Sequence, residues 1–171
     1  MSPTTRSTSE PTSSSSASAT TSISPIGECP ECGAPAIEDM SCWEQFGGLL
    51  AWEAEDPALA AEHFLTVATY NLQHPAQFTD EALDQLRAAL TDYLDQRTSV
   101  AEILRRFGRR FAGPRRVVRP EAERRRVRRD WPLTIADVYQ TERPDGAAYR
   151  VRAWAEVVRA EWTRRGKGGV T

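Results

Sequence analysis

The stretch EDPALAAEHFLTVATYNLQHP, residues 55–75, decides the fold class. Asp56 is a favourable helix N-cap and Pro57 suits the first helical position, so a helix is predicted to begin there. Pro75 disfavours helical geometry in the residue before it, so the same helix is predicted to end near His74. One long helix in the middle of a chain of this length makes a helical domain the first hypothesis.

The segments on both sides carry helix signals of the same kind. Ser41 with Glu44, and Ser99 with Glu102, have the spacing of a capping box. No segment alternates with a period of two, so the predicted fold class is all-α, a small helical domain with a zinc-clamped N-terminal loop and a disordered tail. Further predicted features are a helix after Thr79 with an apolar stripe at Leu83, Leu86, Leu90, Tyr93 and Leu94, a short helix after Thr134, and a long helix over 147–165 with Val151, Trp154, Val158 and Trp162 on one face.

Composition divides the chain into a tail, one domain and a short end. Residues 1–26 are rich in Ser and Thr, offer almost nothing to bury, and are predicted to be disordered. Residues 27–165 are predicted to form a single helical domain, with 112–130 an Arg-rich connector and 166–171 a flexible C-terminus. The chain lacks a secretory signal and an apolar run of about 20 residues, which predicts a soluble cytoplasmic protein. The five tryptophans, Trp43, Trp52, Trp131, Trp154 and Trp162, are expected to serve the core.

Three cysteines and two histidines are the candidate metal ligands. Cys29 and Cys32 have C-x-x-C spacing followed by Gly33, which lets a tight turn direct two sulfur atoms at one ion. Cys42 lies ten residues further on, at the start of a predicted helix whose dipole favours a thiolate. In a reducing compartment this spacing indicates metal binding rather than a disulfide. Structural zinc takes four such ligands, so we predict one Zn²⁺ held by the three cysteines and a histidine.

The fourth ligand is either His63 or His74. They are eleven residues apart, and at about 100° per residue both fall on one stripe of a helix. A short connection should make the first two predicted helices antiparallel, which puts Cys42 roughly level with residue 69 or 70. At about 1.5 Å per residue His74 overshoots this level by about 7 Å and His63 falls short by about 10 Å, so His74 is favoured slightly. The other histidine is expected to pair with Tyr70, Gln73 or a carboxylate such as Glu44 or Glu53.

The predicted ion has a structural role. Three cysteines and one histidine fill a tetrahedral zinc and leave no position for water. The deaminase and H-E-x-x-H patterns are missing from the sequence, and a thioredoxin-like redox pair would need a βαβ context that is not predicted. No catalytic residue is therefore assigned. A metal-dependent enzyme with an open zinc position remains an alternative, and Glu62, Glu44 or Glu53 would be its base.

Several of these motifs together resemble a bacterial family, the domain of unknown function 5946. The resemblance rests on the order C-x-x-C-G, SCW, AWE and HFLTVATYNLQHP, and on the later WPLTIADVY and RVRAWAEVVRAEW. It covers about residues 27–165, apart from the connector, and implies a shared fold and site without an established activity. The residues that it singles out are Cys29, Cys32, Cys42, His63, Tyr70, Gln73, His74 and Pro75.

Charge is distributed unevenly along the chain. Residues 28–102 hold fifteen acidic and two basic side chains, whereas residues 103–130 hold twelve arginines and three acidic side chains. The arginines are predicted to form a solvated connector or to be neutralised by the acidic region. The alternative is an association with nucleic acid through Arg124, Arg125, Arg126, Arg128 and Arg129. No interaction with a membrane is predicted.

These observations favour a zinc-stabilised helical module that binds a protein partner or acts as a scaffold. Zn²⁺ would clamp the loop at residues 29–33 to the first helical hairpin. The nucleic-acid and enzyme alternatives stay open, and the sequence names no substrate or partner.

Overall fold

The structure, a computed structural model, describes residues 27–140 and 144–167. Within these ranges the chain forms seven α-helices and no β-strand, which confirms the all-α prediction for the described residues. The disordered tail predicted for residues 1–26, and residues 168–171 of the predicted flexible C-terminus, lie outside the described residues. The helices are α1 (Cys42–Trp52), α2 (Pro57–Ala61), α3 (His63–Gln73), α4 (Asp80–Leu94), α5 (Val100–Arg110), α6 (Ile135–Val138) and α7 (Ala147–Lys167), with 3₁₀ turns at Pro75–Gln77 and Glu121–Glu123.

Polar side chains cap the helices at the predicted positions. Ser41 and Glu44 form the full reciprocal capping box, because each side chain accepts a hydrogen bond from the other residue's backbone N–H. At α5 only half of the box forms: Ser99 accepts from the Glu102 N–H, while the Glu102 carboxylate lies 2.8 Å from Arg106 Nε. Asp56 and Thr79 cap α2 and α4 as predicted.

The helix predicted over residues 57–74 is divided in two. Glu62 leaves helical geometry, with φ −95° and ψ 10°, and separates α2 from α3. Its backbone carbonyl still accepts from the Thr66 N–H, and its carboxylate lies 2.8 Å from Arg152 Nη2 on α7. The local capping signals could not reveal this interruption, because it coincides with a contact to a helix ninety residues further along the chain.

Helix α7 lies at the centre of the molecule and packs against α2, α3, α4 and α6. Val151, Trp154 and Val158 are fully buried on the predicted face. The other tryptophans divide: Trp131 is buried, Trp52 and Trp162 pack against the core, and Trp43 is 66% exposed. The prediction that all five serve the core is therefore wrong for Trp43, whose ring contacts Phe46 and Tyr70 on one side and is otherwise left to solvent.

Helices α1 and α3 run antiparallel, as the short connection predicts. Cys42, at the start of α1, lies beside His74, which follows the end of α3. At the opposite end Glu53, just after α1, contacts His63, the first residue of α3. The side chains of Phe46 and Tyr70 stack between these ends with ring centroids 4.0 Å apart. This hairpin positions two of the candidate ligands at one end of the domain.

The Arg-rich connector is exposed but attached to the domain at several points. The Thr79 N–H donates to the Val117 carbonyl at 3.0 Å, and the Arg119 N–H donates to the Gln77 carbonyl at 2.8 Å. At its far end the Arg129 N–H donates to the Glu31 carbonyl at 2.9 Å. The connector therefore crosses the domain from the start of α4 to residues 28–34, the loop that carries Cys29 and Cys32 and is called the cysteine loop below. Among the helices in the described ranges, none is long and apolar enough to cross a membrane.

Candidate metal centre

The cysteine loop presents two sulfur atoms from a tight turn. Gly33 has a φ of +77°, a conformation that favours glycine, and its N–H donates to the Cys29 carbonyl at 3.0 Å. The Ala34 N–H points at Cys32 Sγ at 3.5 Å, a contact that stabilises negative charge on this sulfur. The C-x-x-C-G spacing therefore builds the turn that the sequence predicts.

Cys42 is the first residue of α1, directly after the Ser41 cap. The positive end of the helix dipole favours a thiolate at this position. The Tyr70 hydroxyl lies 3.7 Å from Cys42 Sγ and can donate to it. Burial raises the pKa of Tyr70 above its usual range, and the neighbouring Cys42 charge raises it further, so this hydroxyl keeps its proton for the sulfur.

His74 reaches the cluster because α3 ends just before Pro75. Its backbone adopts φ −120° and ψ 61°, outside the helical region that a following proline disfavours. His74 Nδ1 donates to the Tyr70 carbonyl at 2.7 Å, which directs Nε2 at the sulfur atoms. Nε2 lies 3.5 Å from Cys29 Sγ and 3.5 Å from Cys42 Sγ.

The ligand atoms of Cys29, Cys32, Cys42 and His74 all lie within 4.8 Å of one another, close enough to hold one metal ion. A tetrahedral ion with Zn–S bonds of about 2.3 Å and a Zn–N bond of about 2.0 Å places sulfur and nitrogen about 3.5 Å apart. The two measured sulfur-to-nitrogen distances, 3.5 Å each, match this value. The donor set and its spacing are therefore compatible with a single Zn²⁺.

Hydrogen bonds inside the cluster shift the pKa values of its members. Contacts from the Cys32 and Cys42 thiols hold the pKa of Cys29 well below its usual range. The contact with Cys29 raises the pKa of the Cys32 thiol. Burial acts to lower the pKa of His74, but its hydrogen bonds to Cys29 and Cys42 raise it overall to about 10. These groups compete for protons in a small volume, and a bound cation would stabilise all of them in the deprotonated form.

His63 lies apart from the four clustered residues. Its Nδ1 is 2.6 Å from Glu53 Oε2, and its side chain is 59% exposed whereas that of Glu53 is 10% exposed. The sequence predicts a carboxylate such as Glu53 as one possible partner of the histidine that is not a ligand. His63 and Glu53 therefore connect the far ends of α1 and α3, at the opposite end of the hairpin from the cluster.

Two residues that support the cluster were not predicted from the sequence. Glu31, between the paired cysteines, is buried, and its carboxylate accepts from the Ala76 N–H at 3.2 Å just after His74. The Arg128 guanidinium packs over Gly33 and binds the Glu28 carboxylate at 2.8 Å. The opposite charges of the acidic region and the connector predict ion pairs such as Arg128 with Glu28. Charge alone does not specify which of these residues meet.

Gln73 connects the segment before the cluster to the C-terminal half of the domain. Its side chain is fully buried, where Nε2 donates to the Leu133 carbonyl at 2.7 Å and Oε1 accepts from Trp154 Nε1 at 3.2 Å. Gln73, the residue before His74, therefore links α3 to the segment before α6 and to α7. These hydrogen bonds do not involve the four clustered residues.

A cleft of about 740 Å³ opens beside the candidate ligands. Cys29, Cys42, His74 and the exposed Trp43 line it. Arg124 and Arg126 of the connector also line the cleft. Three of the four candidate ligands, Cys29, Cys42 and His74, therefore border this cleft. The complete lining is Cys29, Pro30, Glu31, Cys42, Trp43, Tyr70, His74, Ala76, Gln77, Glu121, Arg124 and Arg126.

Comparison with known proteins identifies the family of the chain. A family model, described as Family of unknown function (DUF5946), matches residues 27–163. No curated protein and no solved structure matches the chain. The matched range includes all four clustered residues, α1 to α6 and most of α7.

Proposed function

The chain belongs to the family of unknown function DUF5946, and from the geometry of its Cys₃His cluster we propose that it is a zinc-stabilised helical binding module. The observation that carries the proposal is the convergence of four sulfur and nitrogen donors from three separate segments. Thiolate and imidazole ligands suit Zn²⁺ better than the oxygen-preferring Mg²⁺ or Ca²⁺. Four protein ligands complete the coordination, which is typical of a structural ion.

The ion would act as a clamp between the cysteine loop and the helical hairpin. The cysteine loop has no helix of its own, and in it only Glu31, Cys32 and Ala34 are buried. Joining Cys29 and Cys32 to the ends of α1 and α3 fixes this loop on the helical hairpin. Because the ligands converge only in the folded chain, metal binding free energy would contribute to folding.

The binding part of the proposal rests on the cleft beside the cluster. Tryptophan is enriched in protein interfaces, and Trp43 is 66% exposed at the side of this cleft. Contacts with Phe46 and Tyr70 hold the ring in place, so a partner would meet a pre-organised aromatic surface. We therefore place the protein partner of the module at this cleft.

The test is metal content by mass spectrometry on untagged protein, together with thermal unfolding, for wild type, His74→Ala and His63→Ala. The expected result is one zinc per chain in wild type and in His63→Ala. His74→Ala should lose the ion or bind it at least about tenfold more weakly, and its unfolding temperature should fall. Wild-type protein without metal, or equal loss in both variants, would contradict the proposal.

A second candidate is a metal-dependent enzyme, which the same cleft favours because three of the four donors line it. Substrate could then approach the ion directly. Cobalt substitution separates the two functions, since cobalt reports its coordination by its visible absorption. A four-ligand spectrum unaffected by added azide or cyanide supports the structural role, whereas an exchangeable water or bound anion supports the enzyme.

A further inference from the structure

The connector turns its arginines to two opposite sides. Arg124 and Arg126 line the cleft beside the four candidate ligands, whereas Arg125, Val127 and Arg129 line a different cleft. This alternation is typical of extended chain, in which neighbouring side chains point in opposite directions. The run of arginines therefore forms two separate surfaces rather than one continuous stripe.

The second cleft has a volume of about 300 Å³ and lies between the connector and the first half of α4. Pro75, Ala76 and Leu83 supply its apolar part. Its charged lining consists of four arginines and two carboxylates, Arg87, Arg119, Arg125, Arg129, Asp80 and Glu123, which leaves an excess of two positive charges.

Ion pairs inside the protein involve two of these four arginines. Arg119 is 2.7 Å from Asp80, and Arg87 is 3.0 Å from Asp84, whose side chain is 69% exposed. Among residues 27–140 and 144–167, neither Arg125 nor Arg129 forms an ion pair with a carboxylate. The cleft thus keeps two guanidinium groups available for an anion.

Two of the guanidinium groups contact the same indole ring. Arg87 lies 3.6 Å and Arg129 4.5 Å from the centroid of Trp162. Burial lowers the pKa of Arg129, and the positive charges of Arg165 and Arg87 lower it further, so these cations repel one another. Cation–π stacking keeps them in place, and an anion bound in the cleft would relieve the repulsion.

We propose that this cleft binds a dianionic phosphate group, as inorganic phosphate or as the phosphate monoester of a small molecule. Within the described ranges the guanidinium groups of Arg125 and Arg129 form no ion pair, and they supply two positive charges for a dianion. Planar guanidinium groups with several N–H donors bind phosphate oxygens in a bidentate manner, and stacking on Trp162 orients two of them in advance. The volume lies at the lower limit of small-molecule sites, which suits a compact ligand. This inference concerns a different cleft from the one at which the proposed protein partner would bind.

The experiment is isothermal titration of inorganic phosphate into full-length, zinc-replete protein at constant ionic strength, with thermal unfolding as a second readout. Arg125→Ser removes an exposed guanidinium that is expected to contribute to phosphate binding but not to folding, so the fold should persist. Arg124→Ser is the matched control, because it removes the same charge from the neighbouring residue on the opposite face. Phosphate should bind wild type and Arg124→Ser similarly, and bind Arg125→Ser about tenfold more weakly.

Two outcomes would overturn the proposal, and a third would reassign the ligand. No binding to wild type excludes the site, and an equal loss in both variants shows a general charge effect rather than a defined cleft. Dimethyl phosphate, a monoanionic diester, is expected to bind wild type at least about tenfold more weakly than phosphate. If it binds as well as phosphate, the dianion assignment is wrong and a nucleic-acid backbone becomes the better ligand.

Discussion

Gln73 shows how a single residue in a ligand-bearing motif can serve the core instead of the ion. Its amide satisfies the Leu133 carbonyl and the Trp154 indole N–H, two groups from different segments of the C-terminal half. A buried polar group without a partner costs more than a hydrogen bond contributes, so this amide fixes how α3, α6 and α7 fit together.

The first prediction concerns this amide. Gln73→Leu keeps a side chain of similar size but leaves two buried polar groups unpaired, so the free energy of unfolding should fall by roughly 3 kcal/mol. Chemical denaturation of zinc-replete protein measures it. Gln85→Leu, at a half-buried position on α4, is the control and should change stability by less than about 1 kcal/mol. A similar loss in both variants would mean that the Gln73 hydrogen bonds contribute little.

The two histidines mark the limit of what residue identity can predict. Both lie on one stripe of the same segment, and the sequence favours His74 over His63 by only a small difference along the helix axis. In the structure His74 joins the cysteines and His63 pairs with Glu53. The choice depends on the register between α1 and α3, which no local signal in the segment specifies.

At the scale of secondary structure, α1 contains two adjacent glycines with different surroundings. A Cβ atom on Gly48 would lie 2.6 Å from Cε2 of Tyr139, whereas a Cβ on Gly47 would meet nothing within 4 Å. Tyr139 also stacks on Trp52, with ring centroids 4.7 Å apart. Gly48 therefore permits the segment after α6 to approach α1 closely.

This contrast gives the second prediction. Gly47→Ala should stabilise the protein by about 0.5–1 kcal/mol, because alanine has the higher helix propensity and meets no neighbour. Gly48→Ala gains the same propensity but must displace the Tyr139 ring, so it should be destabilising by about 1–3 kcal/mol overall. Thermal unfolding of the two variants side by side provides the comparison. Equal stabilisation in both would show that Tyr139 moves aside without cost.

The connector is the element that local patterns described least well. Its exposure agrees with a solvated segment, yet hydrogen bonds to the start of α4 and to the cysteine loop attach it to the domain. Several of its arginines are neutralised by the acidic region, for example Arg128 by Glu28 and Arg119 by Asp80. These pairs use arginines that a nucleic-acid backbone would otherwise contact.

Nucleic-acid association therefore stays a prediction that needs a direct test. If it occurs, short duplex DNA should bind with a strong salt dependence, and changing Arg124, Arg125, Arg126, Arg128 and Arg129 to Ser should abolish it. Because the arginines face two sides, we expect a weak affinity, roughly 10⁻⁴–10⁻⁶ M at physiological salt. Fluorescence anisotropy over a salt series measures both quantities. Binding that survives the five substitutions would remove the connector from consideration.

At the scale of the whole molecule, the four candidate ligands lie where the cysteine loop, the α1–α3 hairpin and the connector meet. The connector reaches this junction through the Arg129 N–H and through Arg128, both of which contact the cysteine loop. None of the four candidate ligands lies on α7, although Cys32 belongs to the same buried apolar cluster as Trp154 of that helix. The molecule therefore has two parts, the helical packing around α7 and the region of loop, helix ends and connector that the ion would hold together.

Removal of the metal should affect these two parts differently. A chelator should accelerate amide hydrogen exchange by more than about tenfold in residues 28–34, 70–75 and 124–129, because those segments depend on the clamp. Amides of α4 and the centre of α7 should keep most of their protection. Hydrogen–deuterium exchange with mass spectrometry, before and after chelation, resolves the segments. Uniform acceleration along the chain would show that the core also depends on the ion.

The sequence by itself determined the all-α class, the helix starts at Ser41, Asp56, Thr79, Ser99 and Thr134, and the turn that carries Cys29 and Cys32. These features follow from interactions within about four residues, where capping, proline and glycine act directly on the backbone. The three cysteines could be proposed as ligands for the same reason, since their spacing is local.

Only the tertiary structure decided which histidine meets the cysteines, where the helix breaks at Glu62, which tryptophan stays exposed, and which side each arginine faces. Each of these depends on contacts between residues far apart in the chain, such as Glu62 with Arg152 or Glu31 with Ala76. A shift of one or two residues between packed helices moves a side chain by only about 1.5–3 Å along the axis. Local patterns cannot resolve so small a displacement, whereas the packing of complete elements can.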